Sequence, residues 1–230
     1  ESEKINYTHS GVLSSSLAID KEISKKIFIK NKILTPKYVK FVYKNKKKQK
    51  NIIKIIKKKL GFPVVIKPIN EGSSVNVFIC NKSNIIKFLN KLSHYGEVLI
   101  EKYIPGREIQ VAIMGKKILG AIELKPKRKF YDYEAKYNPK AKTEHIIPVQ
   151  INNDSLKKVC SIALNAHRKL KCRGVTRSDF RYYNNKFYLL EINTQPGMTK
   201  LSLVPEIALH KGINFIKLIE WMLKDASKKK

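Results

Sequence analysis

Hydrophobic and polar positions along the chain switch repeatedly between a helical and an alternating rhythm. Over residues 14–32, Leu17, Ile23 and Ile27 recur on one side behind a serine-rich start, which predicts a single helix. Pro36 ends it, and Val39, Phe41 and Tyr43 alternate as an extended run. Residues 44–59 are dense in lysine. Ile52, Ile53, Ile55, Ile56 and Leu60 nevertheless recur at helical spacing, so the second half reads as an amphipathic helix with lysines on its wet side. The turn Gly61-Phe62-Pro63 leads into a short strand, Val64, Val65 and Ile66. A Gly/Ser loop over 70–74, a helix over 83–92 and a strand over 98–100 follow.

Pro105-Gly106 is strong turn punctuation and marks a boundary between two expected lobes. Beyond it the pattern predicts strands over 108–114 and 117–124, joined at Gly115-Lys116. The aromatic, lysine-bearing stretch 130–137 has no period and reads as a long loop. A helix over 154–170 comes next, then a hairpin of strands 175–183 and 187–192 around Asn184-Asn185. Helical segments over 204–210 and 215–223 close the chain. No repeat is visible, and strands and helices are mixed throughout, so the fold class is α+β (α/β mixed).

Composition narrows the function classes. Of the 230 residues 43% are hydrophobic and 29% charged, which is ordinary globular usage. Cys80, Cys160 and Cys172 lie far apart with no C-x-x-C, arguing against a disulfide framework or cysteine zinc site and for a reducing, cytoplasmic setting. No apolar run reaches the roughly 18 residues of a membrane span, so no membrane partner is expected. The net charge of +30 raises the question of nucleic acid. Only six of the 48 basic residues are arginine, the side chain that reads bases bidentately, so the lysine excess reads as solvated surface and no nucleic-acid partner is expected. The five histidines show no paired spacing and read as structural or surface residues.

The hairpin carries the most chemistry. Strand periodicity puts Arg177 with Asp179 on one face of its first strand, and Glu191 with Asn193 on one face of its second, with Leu190 and Ile192 toward the core. If the two polar faces coincide, two carboxylates, an amide and a guanidinium converge, an oxygen-rich set suited to Mg²⁺ or Mn²⁺. Solvated strand charges are the competing reading. A two-residue turn would set Asp179 opposite Leu190, so convergence predicts a three-residue loop, 184–186, with an asparagine in the left-handed region. Two further stretches are candidates. Residues 67–75, from Lys67 into a Gly/Ser loop, could turn backbone amides toward phosphate oxygens, though an ordinary turn fits equally. Residues 193–199 could present the Gly197 amide to a ligand oxygen, or be a plain strand-end turn.

Taken together and in order, Gly11 to Lys21, Lys67 to Val75, Val98 to Lys102, the Phe-Tyr-Asp-Tyr-Glu-Ala-Lys-Tyr run ending at Tyr137, Arg177-Ser-Asp179 and Leu190 to Thr199 followed by Leu201 to Pro205 resemble D-alanine–D-alanine ligases of the ATP-grasp superfamily. The resemblance implies an ATP-grasp fold of two lobes with nucleotide between them. It divides the chain into residues 1–13, the end of an amino-terminal domain or linker; 14–103, a central lobe; and 104–230, a carboxy-terminal lobe with the metal and D-alanine sites. It implies ATP-dependent joining of two D-alanines through an acyl phosphate, for peptidoglycan precursor synthesis, in an enzyme that is commonly a homodimer. Its cofactors would be ATP and two Mg²⁺ or Mn²⁺ ions. Carried over residue by residue, Lys25, Lys67 and Lys136 would contact ATP phosphates. Glu101, the Lys102 and Ile104 backbone, and Glu108 would hold adenine and ribose. Asp179, Glu191 and Asn193 would ligate metal, and Arg177 with the Gly197 amide would form an oxyanion hole. Ser202 and the Leu203 amide would bind the second D-alanine carboxylate, and Ser73 and Tyr137 would latch two loops over the site. The sequence departs from the family in two places: Asn76 stands where the family has glycine, and the family's amino-terminal domain, which precedes the Gly11 motif, is not in this sequence. An ATP-binding remnant without catalysis is the alternative expectation.

Overall fold

The computed structural model describes residues 1–44, 46–126, 143–199 and 202–227, with the backbone alone for 46–50. Its elements are α1 (Val12–Ile19), α2 (Lys21–Lys30), β1 (Tyr38–Val42), α3 (Lys46–Lys59), β2 (Val64–Pro68), β3 (Phe78–Cys80), α4 (Ile85–Lys91) and β4 (Glu97–Lys102). After the Pro105-Gly106 turn come β5 (Arg107–Met114), β6 (Lys117–Lys125), β7 (Glu144–Ile146), α5 (Asn153–Lys169), β8 (Val175–Tyr183), β9 (Lys186–Asn193), α6 (Leu203–His210) and α7 (Phe215–Ala226). Among the described residues these strands form two antiparallel sheets, one ordered β1-β4-β2-β3 and the other β7-β6-β5-β8-β9.

The helix expected over 14–32 is two helices. Asp20 interrupts it because its Oδ1 accepts hydrogen bonds from the Glu22 and Ile23 amides at 2.9 and 2.8 Å, capping α2 instead of continuing α1. The short strands β3 and β7 are additions to the sequence reading; three residues are too few to establish an alternating pattern.

Each sheet buries its own core. Ile52 and Ile56 of α3, Leu60 just after it, and Ile85 and Leu89 of α4 pack with Phe41, Val64, Ile66, Val98 and Ile100 of the first sheet, as the helical spacing of the isoleucines requires. Both faces of the second sheet are covered. Ile109, Val111, Ile113, Phe180, Leu189 and Ile192 pack beneath Val159, Ala163 and Ala166 of α5. Ala112, Met114, Ile122 and Leu124 pack beneath Val204, Ile207 and Ala208 of α6 and Leu218 and Met222 of α7. Ala18 and Phe28 join the α5 cluster, so α1 and α2 pack with the second sheet although they precede the first in sequence.

That double cover explains the polar residues of β5. Its α6-facing positions read Glu108, Gln110, Ala112, Met114, and only the last two belong to the apolar cluster. Glu108 pairs with Arg181 of β8, which lines a cleft whose other lining residues include Val65, Lys67 and Glu101 of the first sheet.

Candidate functional site

The β8–β9 hairpin brings its four polar residues to one face. Asp179 pairs with Glu191 and Arg177 with Asn193 across the strands, and cross-strand partners project to the same side. The expected three-residue loop is corrected. The turn has two residues, Asn184 and Asn185, both left-handed at φ 47° and 56°, and Tyr183 pairs with Lys186. The register is restored instead by a bulge: Phe180 pairs with Leu189 while Asp179 pairs with Glu191, leaving Leu190 as the extra residue. Leu190 therefore lines the cleft, contrary to the expectation that it faces the core, whereas Ile192 is buried as expected.

Arg177 holds Asp179 by a bidentate pair, Nε and Nη2 donating to Oδ1 and Oδ2 at 2.8 and 2.9 Å. Asp179 is buried, and Gln110, fully buried on β5, pairs with it in register. Neither end of the Gln110 amide has a hydrogen-bond partner among the described residues. Asn193 Oδ1 accepts from the Gln195 amide at 3.0 Å. The chain then turns through Gly197, where a Cβ would stand 2.8 Å from Ser202 Oγ, so any side chain there would displace the Ser202 hydroxyl. Ser202 caps α6 through its backbone, and its Oγ instead meets the Thr199 amide at 3.1 Å and Thr199 Oγ1 at 2.9 Å. The Ser202 hydroxyl and the Leu203 amide thus stand at the positive end of a helix, suited to a carboxylate.

Cations stand beside Glu191 in the cleft. Lys67, at the end of β2, and Lys21, at the start of α2, both line the cleft together with Glu71, Ser74, Glu101 and Glu191. Lys21 Nζ lies 3.8 Å from Glu191 and donates to the Glu71 carbonyl, tying the Gly/Ser loop to β9. Burial pushes the Lys21 ammonium below its ordinary pKa, against the opposing pull of Glu191. Lys25 is different: it is completely buried and does not line the cleft. One helical turn separates Lys21 from Lys25, and Lys21 is the lysine that reaches the cleft. A lysine opening a capped helix was legible as a candidate from Asp20, a cue the reading of one long helix hid.

Glu101 lies between Lys25 and Lys67, each Nζ 3.0 Å from its Oε1. Burial alone would raise its pKa, but the two ammoniums outweigh it and hold the carboxyl below its ordinary value. The Lys102 amide donates to the Lys37 carbonyl at 2.8 Å and is committed there. Arg181, on β8 two positions beyond Asp179, was not anticipated. Its Nε donates to the Ile104 carbonyl at 3.1 Å and its Nη1 to Glu108 at 3.2 Å, so it locks the strand-to-strand corner where both residues sit.

In the Gly/Ser loop Ser73, Ser74 and Asn76 are left-handed, with φ of 52°, 61° and 55°. Asparagine tolerates that region, which explains how Asn76 takes a glycine position, and its Nδ2 donates to Tyr95 Oη at 3.0 Å. Ser73 is exposed on this loop. Lys136 and Tyr137, with the rest of the aromatic stretch, lie outside the described residues.

Comparison with known proteins gives the family. The family model described as D-ala D-ala ligase C-terminus matches residues 27–224. The D-alanine–D-alanine ligase of Pelagibacter ubique is 70% identical over 227 residues, covering 99% of this chain and 74% of that protein. The ligase of that name from Wolbachia pipientis is 46% identical, with 96% and 70% covered. Among solved structures, the D-alanine–D-alanine ligase of Bacillus anthracis complexed with ATP matches with a TM-score of 0.82 at 30% identity, covering 98% of this chain and 71% of that one. The VanG D-Ala:D-Ser ligase of Enterococcus faecalis matches at 0.83 and 26% identity, over 95% and 64%.

Proposed function

Because the chain belongs to the D-alanine–D-alanine ligase family, we propose that it joins two D-alanines at the expense of ATP, releasing ADP and phosphate. The observation that carries this reading is the registered Asp179–Glu191 and Arg177–Asn193 pairs on one face of a hairpin whose Glu191 lines a cleft together with Lys21 and Lys67. A polyphosphate lying between them meets two ammoniums on one side and carboxylates on the other, an arrangement that needs divalent cations between carboxylate and phosphate.

The donor set fits such a cation. Asp179, Glu191 and Asn193 offer two carboxylates and an amide oxygen, all hard oxygen ligands. When bound there, Mg²⁺ or Mn²⁺ would neutralise charge on the phosphate oxygens.

The chain's own residues do the rest. Lys21 and Lys67 orient the β- and γ-phosphates. Glu101, Glu108 and the Ile104 backbone, the last two braced by Arg181, face the nucleoside end of the cleft. The γ-phosphoryl group passes to the carboxylate of the first D-alanine, the new O–P bond forming as the bond to ADP breaks. The Ser202 hydroxyl and Leu203 amide hold the carboxylate of the second D-alanine, aiming its amine at the acyl carbon. As the amine attacks, charge accumulates on the acyl oxygen, where Arg177 and the Gly197 amide receive it. Loss of phosphate and a proton completes the peptide bond.

ADP and phosphate release should require both D-alanine and Mg²⁺, with D-alanyl-D-alanine formed in equal amount. Hydrolysis of ATP indifferent to D-alanine refutes the reading, and ATP binding without turnover identifies a nucleotide-binding protein instead.

A further inference from the structure

The buried Lys25–Glu101–Lys67 triad contains one more cation than its carboxylate needs. Both ammoniums lie 3.0 Å from the same oxygen, Glu101 Oε1. Their surroundings differ. Lys67 is at the cleft wall, while Lys25 is completely buried on α2, where Nζ also donates to Thr35 Oγ1 at 2.6 Å and to the Pro36 carbonyl at 3.4 Å. Lys25 thus has two hydrogen-bond acceptors and an ion-pair partner inside the protein, and it does not line the cleft. Burial lowers its pKa to about 8, against the pull of Glu101, which leaves it mostly protonated near neutral pH.

A ligand anion entering the cleft draws on Lys67, the member of the triad it can reach. Withdrawing the only counter-charge from a buried carboxylate is strongly unfavourable. With Lys25 in place, Lys67 can turn to the anion while Glu101 keeps a full ion pair and its orientation. We propose that Lys25 is a positioning residue that holds the charge and direction of Glu101, freeing Lys67 for the phosphates of the nucleotide. The inference rests on the nucleotide-binding part of the ligase reading. It replaces the expectation that Lys25 itself contacts phosphate.

The test uses the full chain with Lys25→Met and Lys25→Arg, titrated separately with Mg²⁺–ATP and with adenosine, which has no phosphate to call on Lys67. Lys25→Met should weaken ATP by roughly ten- to a hundredfold, the scale of one charge-assisted hydrogen bond, and leave adenosine within about twofold. Lys25→Arg, which keeps the charge, should retain most of the ATP affinity. In a Glu101→Gln background, where no carboxylate needs a counter-charge, adding Lys25→Met should change ATP affinity little further. Equal losses for ATP and adenosine, an unchanged ATP affinity, or a full loss persisting in the Glu101→Gln background would each overturn the proposal. If Lys25→Met alone does not fold, the comparison of Glu101→Gln with the Lys25→Met/Glu101→Gln double variant decides it. A wild-type chain that binds no ATP would overturn the ligase reading and this inference together, whereas normal wild-type binding with an unaffected Lys25→Met overturns this inference alone.

Discussion

Replacing Arg177 with methionine keeps most of the side chain's length and removes its guanidinium. In the structure that group makes both hydrogen bonds to Asp179, and the side chains of Arg177 and Asp179 are only 14% and 6% exposed. Removing one partner of a buried pair costs about 3–5 kcal/mol, because the other charge stays buried without compensation. The residual exposure here favours the lower end, about 3 kcal/mol. For a chain of this size that corresponds to a fall in Tm of roughly 6–12 °C. The same change has an opposite effect on cation binding: Asp179 loses the guanidinium that competes for its oxygens, so Mg²⁺ or Mn²⁺ should bind the variant more tightly than wild type. A cation at 100 times its Kd returns about 2.7 kcal/mol of stability. Turnover should nevertheless fall by roughly 10²–10³, the cost of losing one donor to a developing oxyanion. Thermal denaturation across a Mg²⁺ series, Mn²⁺ titration without nucleotide, and steady-state assay with D-alanine measure the three quantities. A variant as stable as wild type, binding cation more weakly, would refute the arrangement of Arg177 and a metal sharing Asp179. A turnover loss under threefold would remove Arg177 from the oxyanion role.

Two other predictions concern stability. Asn76→Val places a β-branched residue in the left-handed region and loses the bond to Tyr95, so chemical denaturation should show a loss of roughly 2–3 kcal/mol, whereas Asn76→Gly should stay within about 1 kcal/mol of wild type. His167 is buried with Nδ1 against Thr176 Oγ1, and burial, helped by Arg168, depresses its pKa to about 4. Between that value and its ordinary pKa near 6.5 the unfolded chain binds more protons, so stability is full above the ordinary value and falls as pH drops toward 4, by up to about 3 kcal/mol. His167→Leu should flatten this acid limb, and an unchanged slope in denaturation curves between pH 4 and 6.5 would refute it.

Much of this architecture was legible in order along the chain. The isoleucines of α3, the alternation of β5 and β8 and the Pro105-Gly106 turn each follow from local pattern, and the structure places the elements where those patterns fall. The polar face of the hairpin was legible too, because side chains in strands have a strict period of two. What escaped had physical causes. Asp20 stops one helix and starts another by a side-chain bond that hydrophobic spacing does not report. The bulge at Leu190 cannot be read from spacing, since one turn length with a bulge and another without it give the same pairing.

Sequence alone therefore determined which chemical groups were available: the two carboxylates, the asparagine, the arginine and a supply of lysines far exceeding what a site needs. Tertiary structure decided which lysines line the cleft. Lys21 and Lys25 differ by four residues on one helix, yet one lies along the cleft and the other is sealed beneath it against Thr35 and Glu101. That choice depends on how α2 docks against the second sheet while the first sheet lays Glu101 and Lys67 beside it. Such a juxtaposition of segments remote in the chain is set by packing, and no local rhythm encodes it.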